Sequence, residues 1–217
     1  MPAPILLYED EDLLVVDKPA GLLSVPTPGA SGRTLLDVLA EEGHPVLPVH
    51  RLDREVTGCV LLARHERARA ALDGLFRERT LEKVYVALVL GRLPKEAGEW
   101  RDPILDEGSY ARVSARGKRC ITRWRVLRQH ARAAEVEIEL VTGRYNQIRV
   151  HFAHHGHALV GDRKYGRGKE DPFRFKRAAL HAARLDFAHP LRDVQVHAES
   201  PWPADLRALA DEAERLR

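Results

Sequence analysis

The sequence has 217 residues, of which 44% are apolar and 31% are charged, so the chain has enough apolar material for a full hydrophobic core. It contains no apolar run near the ~20 residues that cross a membrane, and its acidic start, MPAPILLYEDED, lacks the features of a secretory signal, which predicts a cytoplasmic protein. Lysine and arginine (35) exceed aspartate and glutamate (32) by only +3, so the overall charge is a weak indicator of a nucleic-acid partner.

The hydrophobic pattern predicts a chain that mixes helices and strands and contains no repeats. In chain order, the predicted elements are a strand at 13–16, a helix at 34–42, a strand at 59–63, a helix at 66–79, strands at 83–90, 121–127 and 134–141, and helices at 146–155 and 203–216. The helix at 146–155 is expected to be capped by Asn146 and to end at Gly156.

The segment 134–141 gives the clearest strand signal. Val136, Ile138 and Leu140 alternate with glutamates, which is typical of a strand with one face toward solvent. Strands outnumber helices, and they do not alternate regularly with them. The pattern therefore predicts an α+β fold with a mixed, largely antiparallel sheet and helices packed on it.

Two segments carry polar residues that the fold alone does not require. HRLD at 50–53 places Arg51 and Asp53 directly before an apolar strand, where an aspartate serves either in a turn or in chemistry. The second segment, 142–166, reads TGRYNQIRVHFAHHGHALVGDRKYG and is rich in polar groups, although its pattern is that of a helix between glycine turns.

Together these segments resemble motifs of the RluA family of pseudouridine synthases, which isomerise uridine to pseudouridine in RNA. The resemblance continues, in the family's order, through DLLVVDKPAGLLSVP, LEKVYVALVLG and LHAARLDFAHP, and so covers most of the chain. It implies the pseudouridine synthase fold, in which a bent sheet with flanking helices carries a central active-site cleft. Because KPAG begins at Lys18, the sequence leaves no room for an S4 domain before it, and we expect one catalytic domain over 1–217.

The resemblance also implies catalytic roles for three residues. Asp53 matches the catalytic aspartate, which acts beside ribose C1′ either as a nucleophile or as an electrostatic stabiliser. Arg149 matches the arginine that pairs with this aspartate and favours its ionised form. Tyr85 matches the tyrosine that stacks on uracil and helps to remove the C5 proton. The alternatives are a solvated helix arginine for Arg149 and a core tyrosine for Tyr85.

RNA is the implied partner, as a stem-loop of tRNA or ribosomal RNA. Arg51 matches the residue that fills the gap left by the flipped uridine. Basic runs with glycines and aromatics at 111–119 and 163–177 suit phosphates and unstacked bases, although each run is also compatible with a solvated loop. The further residues expected to bind RNA are Lys18, Arg112, Arg116, Lys118, Arg119, Arg144, Arg163 and Lys164. We expect a monomer without an obligate protein partner.

Two departures from the family motifs stand out. Val56 and Thr57 replace the usual Thr-Ser before Gly58, and Tyr145 and Asn146 replace the usual Thr-His in the TGR motif. The first change keeps one hydroxyl group, and the second is expected to alter loop contacts with RNA.

The cysteines and histidines are the other residues of this sequence that could carry chemistry. Cys59 and Cys120 are too few for a disulfide framework, have no metal spacing, and are expected to be reduced and buried. His151 and His155 have the i, i+4 spacing of two metal ligands, but no HExxH motif or third ligand accompanies them, so we expect no metal and no cofactor. The alternatives to an RNA uridine isomerase are a non-catalytic RNA-binding or RNA-folding module and a metal-dependent hydrolase.

Overall fold

The computed structural model describes residues 3–166 and 171–216. The helices are α1 (Leu35–Glu41), α2 (Glu66–Glu78), α3 (Gln147–His154) and α4 (Ala204–Arg215). The strands are β1 (Ile5–Glu9), β2 (Leu13–Lys18), β3 (Leu47–Pro48), β4 (Thr57–Ala63), β5 (Glu82–Leu90), β6 (Ala97–Trp100), β7 (Ile104–Asp106), β8 (Ala111–Val113), β9 (Thr122–Gln129), β10 (Ala133–Leu140), β11 (Leu180–Ala188) and β12 (Gln195–Glu199). This is the α+β fold that the pattern predicted. In these described ranges, no helix is long and apolar enough to cross a membrane.

The chain folds as two compact units. The first contains Met1–Lys83 and Ala182–Pro201, and the second contains Val84–His181 and Trp202–Arg217. The expectation of one catalytic domain over 1–217 stays a prediction.

In the first unit, β2 pairs antiparallel with both β1 and β4, β3 pairs with the end of β4, and β11 pairs with β12. Every residue of β4 is buried. The core joins these strands to α2 through apolar contacts among Leu13, Leu61, Leu72, Leu185 and other buried residues. Removal of this apolar surface from water is the main favourable contribution to folding of the unit.

In the second unit, β10 lies between β5 and β9, and β6 pairs with the far edge of β9. β7 and β8 form a separate two-stranded hairpin. A core cluster that includes Leu88, Phe173, Leu206 and Leu209 packs α4 against this unit. The helix predicted at 203–216 is thus confirmed, and its apolar stripe is the face that packs.

The alternation predicted for 134–141 is confirmed in β10. Val136 and Ile138 are fully buried. On the opposite face, Glu137 pairs with Arg125 at 2.6 Å and Glu139 pairs with Arg123 at 3.0 Å across the β9 ladder. The solvent-facing side of this strand therefore carries cross-strand ion pairs. They favour the observed pairing register of β9 and β10 over a register shifted by one residue.

Two local expectations were wrong. Asn146 occupies the N-cap position of α3 but has a left-handed backbone (φ 53°) and makes no side-chain cap bond, because its amide instead donates to the Tyr165 hydroxyl at 2.9 Å. In addition, the basic run at 111–119 is not wholly a loop, since its first three residues form β8.

Gly58 lies where the first unit tolerates no side chain. Its φ is +111°, and a Cβ atom there would lie 2.1 Å from the Ala182 carbonyl oxygen on β11. Glycine is therefore required both for the backbone conformation and for the close approach of the two chain segments.

We expect Gly58→Ala to lower the free energy of unfolding by about 3 kcal/mol or more, since positive φ and a backbone clash act together. Gly74→Ala is the matched control, because a Cβ atom at this position of α2 would meet no atom closer than 3.8 Å. We expect this variant to change the free energy of unfolding by less than about 1 kcal/mol. Urea denaturation of both variants measures the difference. Equal stabilities would contradict this role of Gly58.

Candidate functional site

Hydrogen bonds to the backbone of the segment that carries Asp53 hold this segment in place within the first unit. The Leu52 N–H donates to Ser24 Oγ at 3.1 Å, and the Ser24 hydroxyl donates back to the Leu52 carbonyl at 2.9 Å. The Val56 N–H donates to the Asp53 carbonyl at 3.1 Å and closes a tight turn before β4. Asp53 itself is half-buried, and Arg51 is exposed, as a residue that contacts RNA must be.

His50 fixes the start of this segment. Its Nε2 accepts the Leu61 N–H of β4 at 2.8 Å, and its ring lies 5.1 Å from the Phe76 ring of α2. Burial, with a smaller contribution from the Lys83 charge, lowers the pKa of His50 to about 4. At neutral pH His50 is therefore an uncharged acceptor with a structural role.

Lys18 is completely buried, with 0% exposure. Its ammonium donates to the carbonyls of Leu22 at 2.9 Å, Pro19 at 3.0 Å and Arg54 at 3.4 Å. A second contact joins the same loops, since the Gly21 N–H donates to the Arg54 carbonyl at 2.8 Å. The expectation that Lys18 contacts RNA is therefore wrong, because a fully buried ammonium does not reach a phosphate. Lys18 instead holds the KPAG loop against the segment that carries Asp53.

The departures at Val56 and Thr57 are accommodated at the entry of β4. Both residues are buried, Val56 at 2% exposure and Thr57 at 5%. Val56 therefore adds apolar surface to the interior directly after the Asp53 turn.

Tyr85 lies on β5 in the second unit and is almost fully buried at 7% exposure. The strand places it opposite Ile138 of β10. A tyrosine held in a buried strand has a fixed ring orientation, which suits a stacking residue as well as a core residue.

Arg149 projects from α3 into a buried ion pair with Asp162. Its Nε and Nη2 each donate to one Asp162 oxygen at 2.8 Å. The Asp162 side chain has 0% exposure, and it also accepts the N–H groups of Lys164 and Tyr165 at 3.0 and 3.1 Å. This bidentate geometry fixes the plane of the guanidinium. The alternative of a solvated helix arginine is therefore wrong for Arg149.

Tyr165 brings several of the predicted residues together in the second unit. Its ring lies 5.3 Å from Arg149 Cζ and 5.4 Å from Lys164 Nζ. Its hydroxyl accepts the Asn146 amide and, at 3.2 Å, the Ala111 N–H of β8. The β7–β8 hairpin, the start of α3 and the turn at 162–166 thus meet around one aromatic ring.

Gln147 anchors the start of α3 on β9. Its amide donates to the Ile121 carbonyl at 3.0 Å and the Thr122 hydroxyl at 2.9 Å, and its carbonyl accepts from the Thr142 hydroxyl and the Arg144 N–H. All four side-chain bonds of a buried amide are thus made. Arg144 has an exposed side chain on this anchored turn.

The cations expected to bind RNA differ in their surroundings. Arg116, Lys118, Arg119 and Arg163 are exposed. Arg112 is also exposed but pairs with Glu107 at 2.9 Å within the hairpin. Lys164 is half-buried and donates to the Tyr145 hydroxyl at 3.0 Å. Residues 167–170 of the second basic run lie outside the described part of the chain.

The histidines and cysteines are placed as follows. His151 bonds to the Thr122 hydroxyl and, through Nε2, to the Asp102 carbonyl, both at 2.9 Å, so it does not join His155 as a metal ligand. Two clusters with possible ligand atoms occur in the described ranges, and they consist of Asp102, His154 and His155, and of Asp10, Asp12 and His189. Polar partners occupy both, since His155 Nε2 lies 2.7 Å from an Asp102 oxygen and Arg192 pairs with Asp12 at 2.7 Å. The expectation of no metal stays a prediction.

Cys59 and Cys120 form no disulfide and are buried, as predicted. Burial raises the pKa of the Cys59 thiol to about 12.

Comparison with known proteins identifies the family. A family model described as RNA pseudouridylate synthase matches residues 12–154. The chain is 37% identical over 215 residues to an uncharacterized RNA pseudouridine synthase, YhcT, of Bacillus subtilis (strain 168), with 94% of this chain and 70% of the relative covered. It is 35% identical over 225 residues to ribosomal large subunit pseudouridine synthase D of Zymomonas mobilis, with 94% and 71% covered.

The chain belongs to the RNA pseudouridylate synthase family. It is an RNA pseudouridine synthase, an isomerase, and the alternatives of a non-catalytic RNA module and a metal-dependent hydrolase are set aside. A solved structure, human RNA Pseudouridylate Synthase Domain Containing 4, has the same fold, with a TM-score of 0.79 and 24% identity over 98% of this chain and 94% of that chain.

Two buried charged side chains of this synthase, Asp162 beside Arg149 and Lys83 near His50, could not be predicted from the sequence. Asp162 gave one signal, an acidic residue between a glycine and a basic turn, but nothing in the sequence showed its buried pairing with Arg149. Lys83 is buried on β5 with its ammonium 5.5 Å from the Phe76 ring, and burial lowers its pKa. Both were hidden because burial of a charged residue depends on tertiary packing.

The low pKa of His50 predicts a pH-dependent stability. Between pH 6.5 and about 4 the unfolded chain binds a proton at this residue and the folded chain does not, so the contribution is complete above pH 6.5 and declines as the pH falls toward 4. We expect His50→Gln, which keeps a neutral acceptor, to reduce the slope of unfolding free energy against pH in this range. The reduction should be at most about 1.4 kcal/mol per pH unit, because one histidine changes the number of bound protons by at most one. Urea melts across this pH range give both slopes, and identical slopes would refute the assignment.

Proposed function

We propose that this synthase isomerises specific uridines in ribosomal RNA, tRNA or both, with Asp53 acting at ribose C1′. The observation that carries the proposal is a half-buried carboxylate in a turn that Ser24 and the Lys18 ammonium fix on both sides. Asp53, Tyr85 and Arg149 all lie within residues 12–154, which the family model matches.

The chemistry explains the need for a fixed carboxylate. The bond from uracil N1 to C1′ breaks, the detached base turns, C5 bonds to the same carbon, and the C5 proton moves to solvent while N1 gains one. No atom is added or lost, so the reaction is a redox-neutral isomerisation. An electron-poor sugar carbon requires an anion beside it, which Asp53 supplies as a nucleophile or as an electrostatic stabiliser.

Arg149 and Tyr85 are proposed to complete the catalytic set. A guanidinium favours the ionised form of a neighbouring carboxylate, and Arg149 is suited to this role because Asp162 holds its plane fixed. Tyr85 is proposed to stack on the uracil and to help remove the C5 proton. Its buried place on β5 gives the ring a defined orientation.

RNA recognition is proposed to use two kinds of cation. Arg51, which is exposed beside the Asp53 turn, would take the place of the flipped uridine, because flipping leaves a gap in the stack. The exposed cations of the β7–β8 hairpin and the following loop, together with Arg144, Arg163 and Lys164, would contact phosphates. The name of the Zymomonas mobilis relative favours large-subunit ribosomal RNA as the first substrate to test. A monomer in the cytoplasm stays our prediction.

We expect Asp53→Asn to abolish pseudouridine formation while RNA affinity changes little, because the anion at C1′ is lost and the phosphate contacts are kept. Tritium release from 5-tritiated uridine in large-subunit ribosomal RNA and in tRNA measures turnover. Asp73→Asn, on the exposed face of α2, is the matched control and should keep wild-type turnover. Turnover by Asp53→Asn near that of the wild type would overturn the assignment.

We expect Arg149→Met to lower turnover by about 100-fold or more, because the proposed counter-charge of Asp53 is lost. Urea denaturation separates this effect from damage to the fold, since a variant that stays folded under the assay conditions loses turnover only through the site. Arg149→Lys keeps the charge but loses the bidentate pairing with Asp162, and it should recover part of the rate. An unchanged rate in Arg149→Met would contradict the pairing.

A further inference from the structure

Lys164 is surrounded by tyrosine rings in the second unit. Its Nζ lies 4.8 Å from the centroid of Tyr145, 5.4 Å from that of Tyr165 and 6.0 Å from that of Tyr110. It also donates to the Tyr145 hydroxyl at 3.0 Å. These contacts hold a half-buried ammonium over aromatic faces, where the interaction is stronger than in open solvent.

Tyr110 is the outermost of the three rings. It lies in the connection between β7 and β8 and is 41% exposed. In the described ranges, it is the one aromatic residue among the exposed large hydrophobic side chains, which are Ile5, Leu6, Tyr110, Leu127 and Val194. An exposed aromatic ring next to fixed cations indicates a contact surface.

The inner side of Tyr110 is supported. Its ring packs on Tyr165 at 4.9 Å between centroids, with 31° between the ring planes. Tyr165 in turn is fixed through its hydroxyl by the Ala111 N–H and the Asn146 amide. The hairpin therefore presents Tyr110 on a rigid base, which limits the entropy lost when a partner stacks on it.

The charge that follows Tyr110 along the chain indicates the kind of partner. Arg112, Arg116, Lys118 and Arg119 follow it on the hairpin and its loop, and all four are exposed. Arg112 pairs with Glu107 of the same connection, so the basic character comes mainly from Arg116, Lys118 and Arg119. A planar apolar ring on a hairpin that also carries these cations matches single-stranded RNA, in which an unstacked base is apolar and its phosphate is negative.

We propose that Tyr110 is a stacking platform for an unpaired RNA base and that Lys164, held by the tyrosine rings, contacts the phosphate of the same strand. This inference rests on the proposed function and extends it, because it names the side chain of this surface that contacts a base and the cation that accompanies it. The platform adds affinity for unpaired RNA, and it takes no part in bond breaking.

The test measures binding in the Asp53→Asn background, so that the RNA is not converted. The probe is a single-stranded oligouridylate of about 12 nucleotides that carries one 2-aminopurine. Tyr110→Ala should weaken binding about 10-fold and remove the quenching of 2-aminopurine, because the aromatic face is lost. Tyr110→Phe should keep both, and Tyr110→Leu, which keeps apolar packing on Tyr165, should lose the quenching.

Salt dependence separates the two proposed contacts. Stacking releases no counterions, so Tyr110→Ala should keep the wild-type slope of log affinity against log salt, whereas Lys164→Met should flatten it by about 0.7. Wild-type affinity and quenching in Tyr110→Ala, or an unchanged slope in Lys164→Met, would overturn the inference. Tritium release by the wild-type protein is measured in parallel. If the wild type forms pseudouridine and Tyr110→Ala binds RNA normally, the stacking platform is wrong and the proposed function stands. If the wild type forms no pseudouridine in ribosomal RNA or tRNA, the proposed function fails.

Discussion

The buried ion pair between Arg149 and Asp162 is the constraint on which the second unit depends. Removing two charges from water is costly, and their attraction offsets that cost only when the geometry is good and the remaining hydrogen-bond sites are filled. Both conditions hold here, because the pair is bidentate and Asp162 also accepts two backbone N–H groups. Loss of either partner would leave a buried charge, so the pair fixes α3 and the turn after Asp162 as one piece.

The first unit uses the same device with a single charge. Lys18 places its ammonium among three backbone carbonyls, and neutral His50 accepts one backbone N–H from β4. The Lys18 ammonium thus has three acceptors and His50 Nε2 has a donor, so both side chains add rigidity to the unit. The segment 50–56, which carries Asp53, is therefore fixed by side chains outside the proposed catalytic set. The position of the Asp53 backbone is thus set by its neighbours.

The sequence predicted those features that depend on local pattern. The strand at 134–141 and the helices at 66–79 and 203–216 were found because their apolar periodicity is long and regular. The strands β6, β7 and β8 were missed because three or four residues are too few to show a period. In the candidate site, the roles of Asp53, Tyr85 and Arg149 are predictions that come from the resemblance. The buried places of Lys18, Lys83 and Asp162 were not, since a charged residue is expected at the surface until its partners are known.

The departures from the family motif lie at the surface where RNA selection is proposed. Tyr145 and Asn146, which replace the usual Thr-His, contact Lys164 and Tyr165. Gln147 and Arg149, which keep the motif, are buried and fix the helix. Changing a residue of the buried set would disturb the ion pair or the amide network, whereas a change at the turn before it alters the contacts with Lys164 and Tyr165. Variation at this turn would therefore change the surface that is proposed to contact RNA and leave the Arg149–Asp162 ion pair and the Gln147 amide network in place.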